Sequence, residues 1–179
     1  LRVLAVKRDP GGDRTAAVVG VVDHRVAVAE RLADAVRRHQ QALLQRHVDR
    51  ANNKKSDLPK LYVSIHSNAA PAKDMNSWGA DSASGIETWH HANSSKGRKM
   101  AGIFQKHLIE KTGFKNRHLK TTEQVGLFVL RKTNMPAVLT ENGFYNNRQE
   151  VRELMKDEVR QKIADAHVEA ILEIERDGL

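Results

Sequence analysis

Cysteine is absent from the 179 residues of this chain, which excludes a disulfide framework, a thiol nucleophile and a thiolate metal site. Any metal ion would have to be held by His, Asp or Glu. Aromatic residues make up only 4% of the sequence, and no basic stripe is interleaved with Phe or Tyr as a single-strand stacking platform requires, so no nucleic-acid partner is expected. There is no run of about 18 apolar residues to span a bilayer, and no charged-then-apolar leader at the N-terminus; no transmembrane segment is expected. Internal repeats, low-complexity tracts and a domain linker are also missing. What is present is 40% hydrophobic and 29% charged residues, enough for one well-buried core and too few for two. A single domain over residues 1–179 is expected. Thirty Lys and Arg against 22 Asp and Glu give a formal net charge of +8, which implies attraction to an anionic partner.

Apolar runs alternate with helical periodicity along the chain. A strand is expected at 1–6, followed by the turn-rich Asp9-Pro10-Gly11-Gly12-Asp13. From about Arg25 to Gln40, Val28, Leu32, Ala35 and Val36 recur at helical spacing, and 41–53 reads as a second helix. Leu61 to Ile65 is a buried strand stopping at His66, and 70–84 is a long loop of the kind that often carries function. A strand at Gly85–His90 precedes a helix capped by Ser94 or Ser95 and closed by Gly113. Val125–Leu130 and Pro136–Thr140 read as further buried strands. Asn147 with Glu150 resembles a capping box, and Asp157 can cap the last helix. This alternation implies an α/β fold, with a mostly parallel twisted sheet flanked by helices.

Two strand ends carry chemistry. Leu61-Tyr62-Val63-Ser64-Ile65-His66 puts a metal-capable imidazole at the carboxyl end of one strand, and Pro136-Ala137-Val138-Leu139-Thr140-Glu141 puts a carboxylate at the end of another. Ligands of open α/β sheets collect beyond the carboxyl ends of the strands, so the two can face one cleft. Neutral imidazole suits zinc, three protein ligands leave the fourth position to water, and a nearby carboxylate can move the proton. The pair suggests zinc-assisted hydrolysis.

The linked segments Ser64-Ile65-His66-Ser67-Asn68-Ala69, Gly85-Ile86-Glu87-Thr88-Trp89, Val129 to Leu139 and Glu141-Asn142-Gly143-Phe144 resemble, in order and spacing, the zinc-dependent N-acetylmuramoyl-L-alanine amidases of the amidase 3 type. The similarity is nearly continuous from about Ala51 to the C-terminus. It implies a Zn2+ cofactor, cleavage of the amide between N-acetylmuramic acid and L-alanine of peptidoglycan, and action at the cell wall, in the periplasm or outside the cell, as a remodelling or spore enzyme or a phage lysin. His66 matches a zinc histidine of that family and Glu141 its catalytic glutamate. The first third departs from the pattern. Asp9-Pro10-Gly11-Gly12 lacks the family's histidine, Asp23 falls where the family has its ligand glutamate, and His24 beside it could supply an imidazole only with a different local backbone. His118 stands where the family usually has glycine.

Around this pair, Arg131, Trp89 and Asn68 are taken as substrate-binding, with Lys132 beside Arg131 for carboxylates of the peptide. Trp78 and Trp89 are equally suited to stacking on sugar and to packing down on the domain. His90 and His91 look like a metal pair, but neighbours on a strand point to opposite faces, so they are expected to flank the cleft and not to chelate together. Glu87 is read as a structural pairing residue, Asp23 as equally suited to capping a helix, and His39, His47, His107, His118 and His167 as surface histidines. A monomer is expected. The rival readings are a metal-free, catalytically silent wall-binding module of the same fold and a basic nucleic-acid binder.

Overall fold

The computed structural model describes residues 24–74 and 76–179, with side chains from residue 33 onward. The strand expected at 1–6, the loop 9–13, Asp23 and the side chain of His24 lie outside the described residues. The elements are α1 (His24–Asn53), β1 (Tyr62–Asn68), β2 (Ile86–His90), α2 (Ser95–Thr112), β3 (Asn116–Thr121), α3 (Phe128–Lys132), β4 (Ala137–Phe144), α4 (Arg148–Leu154) and α5 (Asp157–Asp177). The four described strands form one sheet in the order β1-β4-β2-β3. β1 with β4 and β2 with β3 are parallel, whereas β2 with β4 is antiparallel. The sheet is therefore mixed, with two of its three pairings as expected.

Alternation along the strands sorts the core onto two faces. On one face Val63 and Val138 meet Met100, Ala101 and Phe104 of α2 and Ala170 and Ile174 of α5, while Ile86 meets Leu108 and Ala166. On the other face Tyr62, Ala137, Leu139 and Trp89 meet Val48 of α1 and Val129 and Leu130 of α3. Helices thus cover both faces, the arrangement expected of an α/β chain.

Local chemistry fixes the ends. Ser94 caps α2 by accepting from Gly97 N at 2.9 Å, and Gly113 closes it in the left-handed region, both as the sequence implies. The helices expected at 25–40 and 41–53 are one continuous helix. Lys60 caps its carboxyl end by donating to the carbonyls of Ala51, Asn52 and Lys54, which satisfies acceptors that a helix terminus leaves open. The Asn52 side chain donates to Lys132 O and accepts from Asn134 N, both at 2.9 Å, and so ties α1 to the chain leading into β4.

Three further expectations change. The strand expected at 125–130 is instead a short helix, α3, in which the adjacent Val129 and Leu130 are both buried; a short apolar run has no period to separate the two conformations. Asn147 does cap α4, accepting from Gln149 N and Glu150 N, but Glu150 does not complete the box. Its carboxylate accepts from Gly85 N at 2.5 Å and Phe144 N at 2.7 Å, joining the start of β2 to the end of β4. Gly143 makes this possible: at φ +81 a Cβ there would lie 3.3 Å from the Glu150 carboxylate. Finally, Lys156 rather than Asp157 occupies the N-cap of α5, and Asp157 sits in its first turn, where a carboxylate favours the helix dipole.

β3 is a polar edge strand with a bulge. Ile86 pairs with Asn116 but Thr88 with Leu119, so Arg117 and His118 together face one residue of β2. His118 adopts φ +64, the conformation that favours glycine, which accounts for the glycine usual at this place in the resembling family. His118→Gly is expected to raise stability by up to about 1 kcal/mol, relief of left-handed strain exceeding the added backbone entropy. A urea midpoint that falls in this variant would show that the imidazole contributes more than the strain it imposes.

His39, His47 and His118 are exposed as expected, but two other histidines are not free surface groups. His107 lies between Glu173, 2.7 Å from its Nε2, and Glu169. His167 is 4% exposed. Its Nδ1 donates to Ile163 O at 2.7 Å, so its Nε2 accepts from the Thr140 hydroxyl at 2.9 Å. Its ring meets Phe104 edge-on, and burial pushes its pKa down, against the hydrogen bond to Ile163.

Candidate active site

The register of three strands assembles the site. His66 on β1 is directly opposite Glu141 on β4, and Glu141 is directly opposite Glu87 on β2. Residues facing each other across a ladder share a face of the sheet, so an imidazole and two carboxylates form one row. The row lies near the carboxyl ends of the parallel strands β1 and β4. β4 runs on three residues beyond Glu141 to Phe144, so Glu141 is held within the strand and not in the turn after it.

The three groups have different surroundings. His66 Nε2 lies 2.8 Å from the Ser64 hydroxyl, and its Nδ1 has no hydrogen-bond partner among the described residues. The residue is exposed, yet the protein packed around the ring removes enough water to lower its pKa, favouring the neutral imidazole. Glu87 is 4% exposed and fully engaged: Oε1 accepts from Asn68 Nδ2 at 2.9 Å and Trp89 Nε1 at 3.1 Å, and Oε2 from Arg117 Nε at 2.8 Å. Three donors thus occupy both of its oxygens. Glu141 is the opposite case. Its Oε2 is buried with no hydrogen-bond partner among the described residues, and burial, then the negative charge of Glu87, push its pKa up to about 8. A buried carboxyl oxygen without a donor is costly, and such groups cluster at functional sites.

The residues singled out in the sequence fall into this frame unevenly. His66, Glu141 and Asn68 come together with Glu87, whose structural pairing, to Arg117, is as expected. Asn68 is committed at both ends, since its Oδ1 also accepts from Ala69 N. Trp89 is half-buried in the cluster under α1 and α3, its N–H turned to Glu87. Arg131 and Lys132 are exposed on α3, and no hydrogen bond or ion pair joins their side chains to the row. His90 is buried on the opposite face with Ile86 and Thr88, and its Nδ1 meets His91 O; it does not flank the row. Trp78 is about half exposed on the loop 70–84, with the Arg148 guanidinium 5.9 Å from its ring centre. That loop is held by Asn146, paired with both backbone groups of Ala70, and by Asn147, which donates to Asp81 O and Ala83 O. Arg117 was not singled out. Its only signal is the Asn116-Arg117-His118 segment, whose bulge turns it toward Glu87.

No group of three His, Cys, Asp or Glu side chains able to hold a metal occurs among the described residues. Those residues do offer one neutral imidazole with a free ring nitrogen beside a partnerless carboxyl oxygen, a donor set that suits zinc as far as it extends.

Fold and site together define the class: an α/β sheet with an imidazole and a buried carboxyl side by side near the strand ends, as hydrolases use. The family of N-acetylmuramoyl-L-alanine amidases matches residues 18–173, and the chain belongs to that family. It is similar to an endolysin of Bacillus phage SPP1, with 36% identity over 135 residues, covering 71% of this chain and 44% of that protein. Among solved structures it resembles an N-acetylmuramoyl-L-alanine amidase from Clostridium difficile 630, with TM-score 0.60 and 27% identity over 75% of this chain and 66% of that one. It also resembles the catalytic domain of the amidase CwlV from Bacillus (Paenibacillus) polymyxa var. colistinus, with TM-score 0.55 and 30% identity over 72% and 65% of the two chains. The chain spans about half the length of these curated relatives, 44% of the phage endolysin and 56% of a Bacillus subtilis protein it also matches.

Proposed function

We propose that this domain hydrolyses the amide between N-acetylmuramic acid and the L-alanine of the peptidoglycan stem peptide, acting as a monomer at the cell wall. The observation that carries the reading is the His66–Glu141 pair, in register on one face and with Glu141 left without a hydrogen-bond donor, in a chain of the amidase family. In this reading His66 holds zinc together with Asp23, and His24 is the nearest further imidazole in the sequence. Zinc, when bound, supplies Lewis-acid polarisation and makes water acidic near neutral pH. Glu141 takes the proton of the attacking water and delivers it to the departing amine of L-alanine. A carboxyl raised toward neutrality suits both steps, because a group that must gain and then lose a proton works best near the ambient pH. Glu87 raises the pKa of Glu141 and, with its three donors, is committed to pairing and does not compete for that role.

The test is release of new amino termini from purified peptidoglycan by the zinc-loaded protein, its loss on chelation and its return with zinc. Equal rates in excess chelator, with metal shown to be absent by elemental analysis, would remove zinc from the mechanism. Wall binding without any release or zinc uptake would identify the silent wall-binding module instead.

A further inference from the structure

The row does not end at Glu87. Through the bulge in β3 it continues to Arg117, so that one residue from each of the four strands contributes in turn: His66, Glu141, Glu87 and Arg117. The next row on the same face ends similarly, Trp89 being opposite Lys120. The geometry points to Arg117, with Lys120 beside it, as the binding site for a free carboxylate of the substrate's peptide limb, on the second or third residue from the scissile amide. This inference rests on the reading of the row as an amidase site.

Arg117 is oriented before any ligand arrives. Its Nε is fixed on Glu87 Oε2 at 2.8 Å, and its guanidinium lies 4.9 Å from the centre of the Phe144 ring. Its two terminal nitrogens have no hydrogen-bond partner among the described residues, and the side chain is 29% exposed. A planar fork held at one edge and open at the other is the geometry that receives a carboxylate through two parallel hydrogen bonds. The charge balance agrees: Glu87 neutralises one cation, and Lys120 makes no ion pair among the described residues, so one positive charge on this flank is uncompensated.

Spacing sets the position of the ligand. β3 lies two strands from β4, roughly 10 Å at the usual 4.7–4.9 Å between neighbours. An extended peptide advances about 3.3–3.6 Å per residue, so a chain leaving Glu141 along the row reaches Arg117 within about three residues. Arg131 and Lys132, read from sequence for this role, have no tie to the row.

The experiment compares two muramoyl-peptides that differ only in whether the carboxylate of the second residue is free or amidated, and repeats the comparison for the third residue. The parent protein should show KM lower by roughly 10- to 100-fold for the free carboxylate at one of these positions, the range of a charge-assisted hydrogen bond, with kcat similar for both forms. Lys120→Gln should narrow that difference, and Arg117→Lys, which keeps a cation against Glu87 but loses the fork, should nearly abolish it. If the parent does not discriminate at either position, or both variants discriminate as the parent does, the inference is wrong. A variant that loses kcat with its discrimination intact would assign Arg117 to holding Glu87 only, which also overturns it. Calorimetry with the N-acetylated stem peptide separates this inference from the proposed reaction: tighter binding of the free carboxylate by a protein that cleaves neither substrate would uphold the site and remove the amidase reading.

Discussion

Glu141→Gln is expected to lower the rate of amide cleavage in peptidoglycan by about 100- to 10,000-fold, the usual contribution of a general acid and base, while zinc content and wall binding stay near those of the parent. The amide keeps the size of the side chain and cannot accept and return the proton. The same substitution should stabilise the metal-free protein at alkaline pH. The folded pKa of Glu141 is raised to about 8 from an ordinary 4.5, so the folded state binds this proton more tightly than the unfolded state does. Its contribution is fully present below about pH 4.5 and is lost as pH rises through about 8. Glutamine does not ionise, and above pH 8 the variant should exceed the parent by up to a few kcal/mol. Urea midpoints of both metal-free proteins between pH 5 and 9 check this. Parallel stability curves, or near-parental turnover, would reduce Glu141 to a structural residue.

His66→Ala should abolish activity and lower zinc affinity by more than about 100-fold, because even partners that merely orient a ligand are worth 10- to 100-fold. It should leave the fold intact, since the exposed ring has one hydrogen-bond partner, Ser64, among the described residues. Metal content after dialysis, read beside the urea midpoint, distinguishes loss of a ligand from loss of structure. A variant that keeps zinc as tightly as the parent would put the metal elsewhere.

The row was half legible in the sequence. His66 and Glu141 each close an apolar run, and apolar runs announce strands, so both residues and their shared end of the sheet could be read in advance, although β1, expected to be buried, is only half-buried to exposed, with Ile65 51% exposed. Arg117 could not. β3 is a polar edge strand, Asn116-Arg117-His118-Leu119-Lys120-Thr121, and edge strands with charged side chains carry no hydrophobic run to mark them; its bulge depends on a histidine adopting φ +64, which periodicity does not encode. The antiparallel pairing of β2 with β4 was missed for a related reason. Alternating strands and helices imply crossovers, but between β1 and β2 the chain passes through the loop 70–84 without a helix, so parallel pairing is not imposed there. α3 was missed because five residues carry too few positions to show a period. Burial of His167 was missed because its partners, Thr140 and Ile163, are distant from it in the sheet or behind it on its own helix.

β4 also limits how a lineage built on this domain can change length. Val138 to Glu141 each answer to a neighbour on both sides, and one residue gained or lost among them would turn every later side chain to the opposite face, sending Glu141 toward α2 and α5. Drift in length is therefore confined to places without such double bookkeeping, above all the loop 70–84, whose anchors on Asn146 and Asn147 fall on Ala70, Gly79, Asp81 and Ala83. Relatives with different wall chemistries can be expected to diverge in that loop by insertion and in β4 only by substitution.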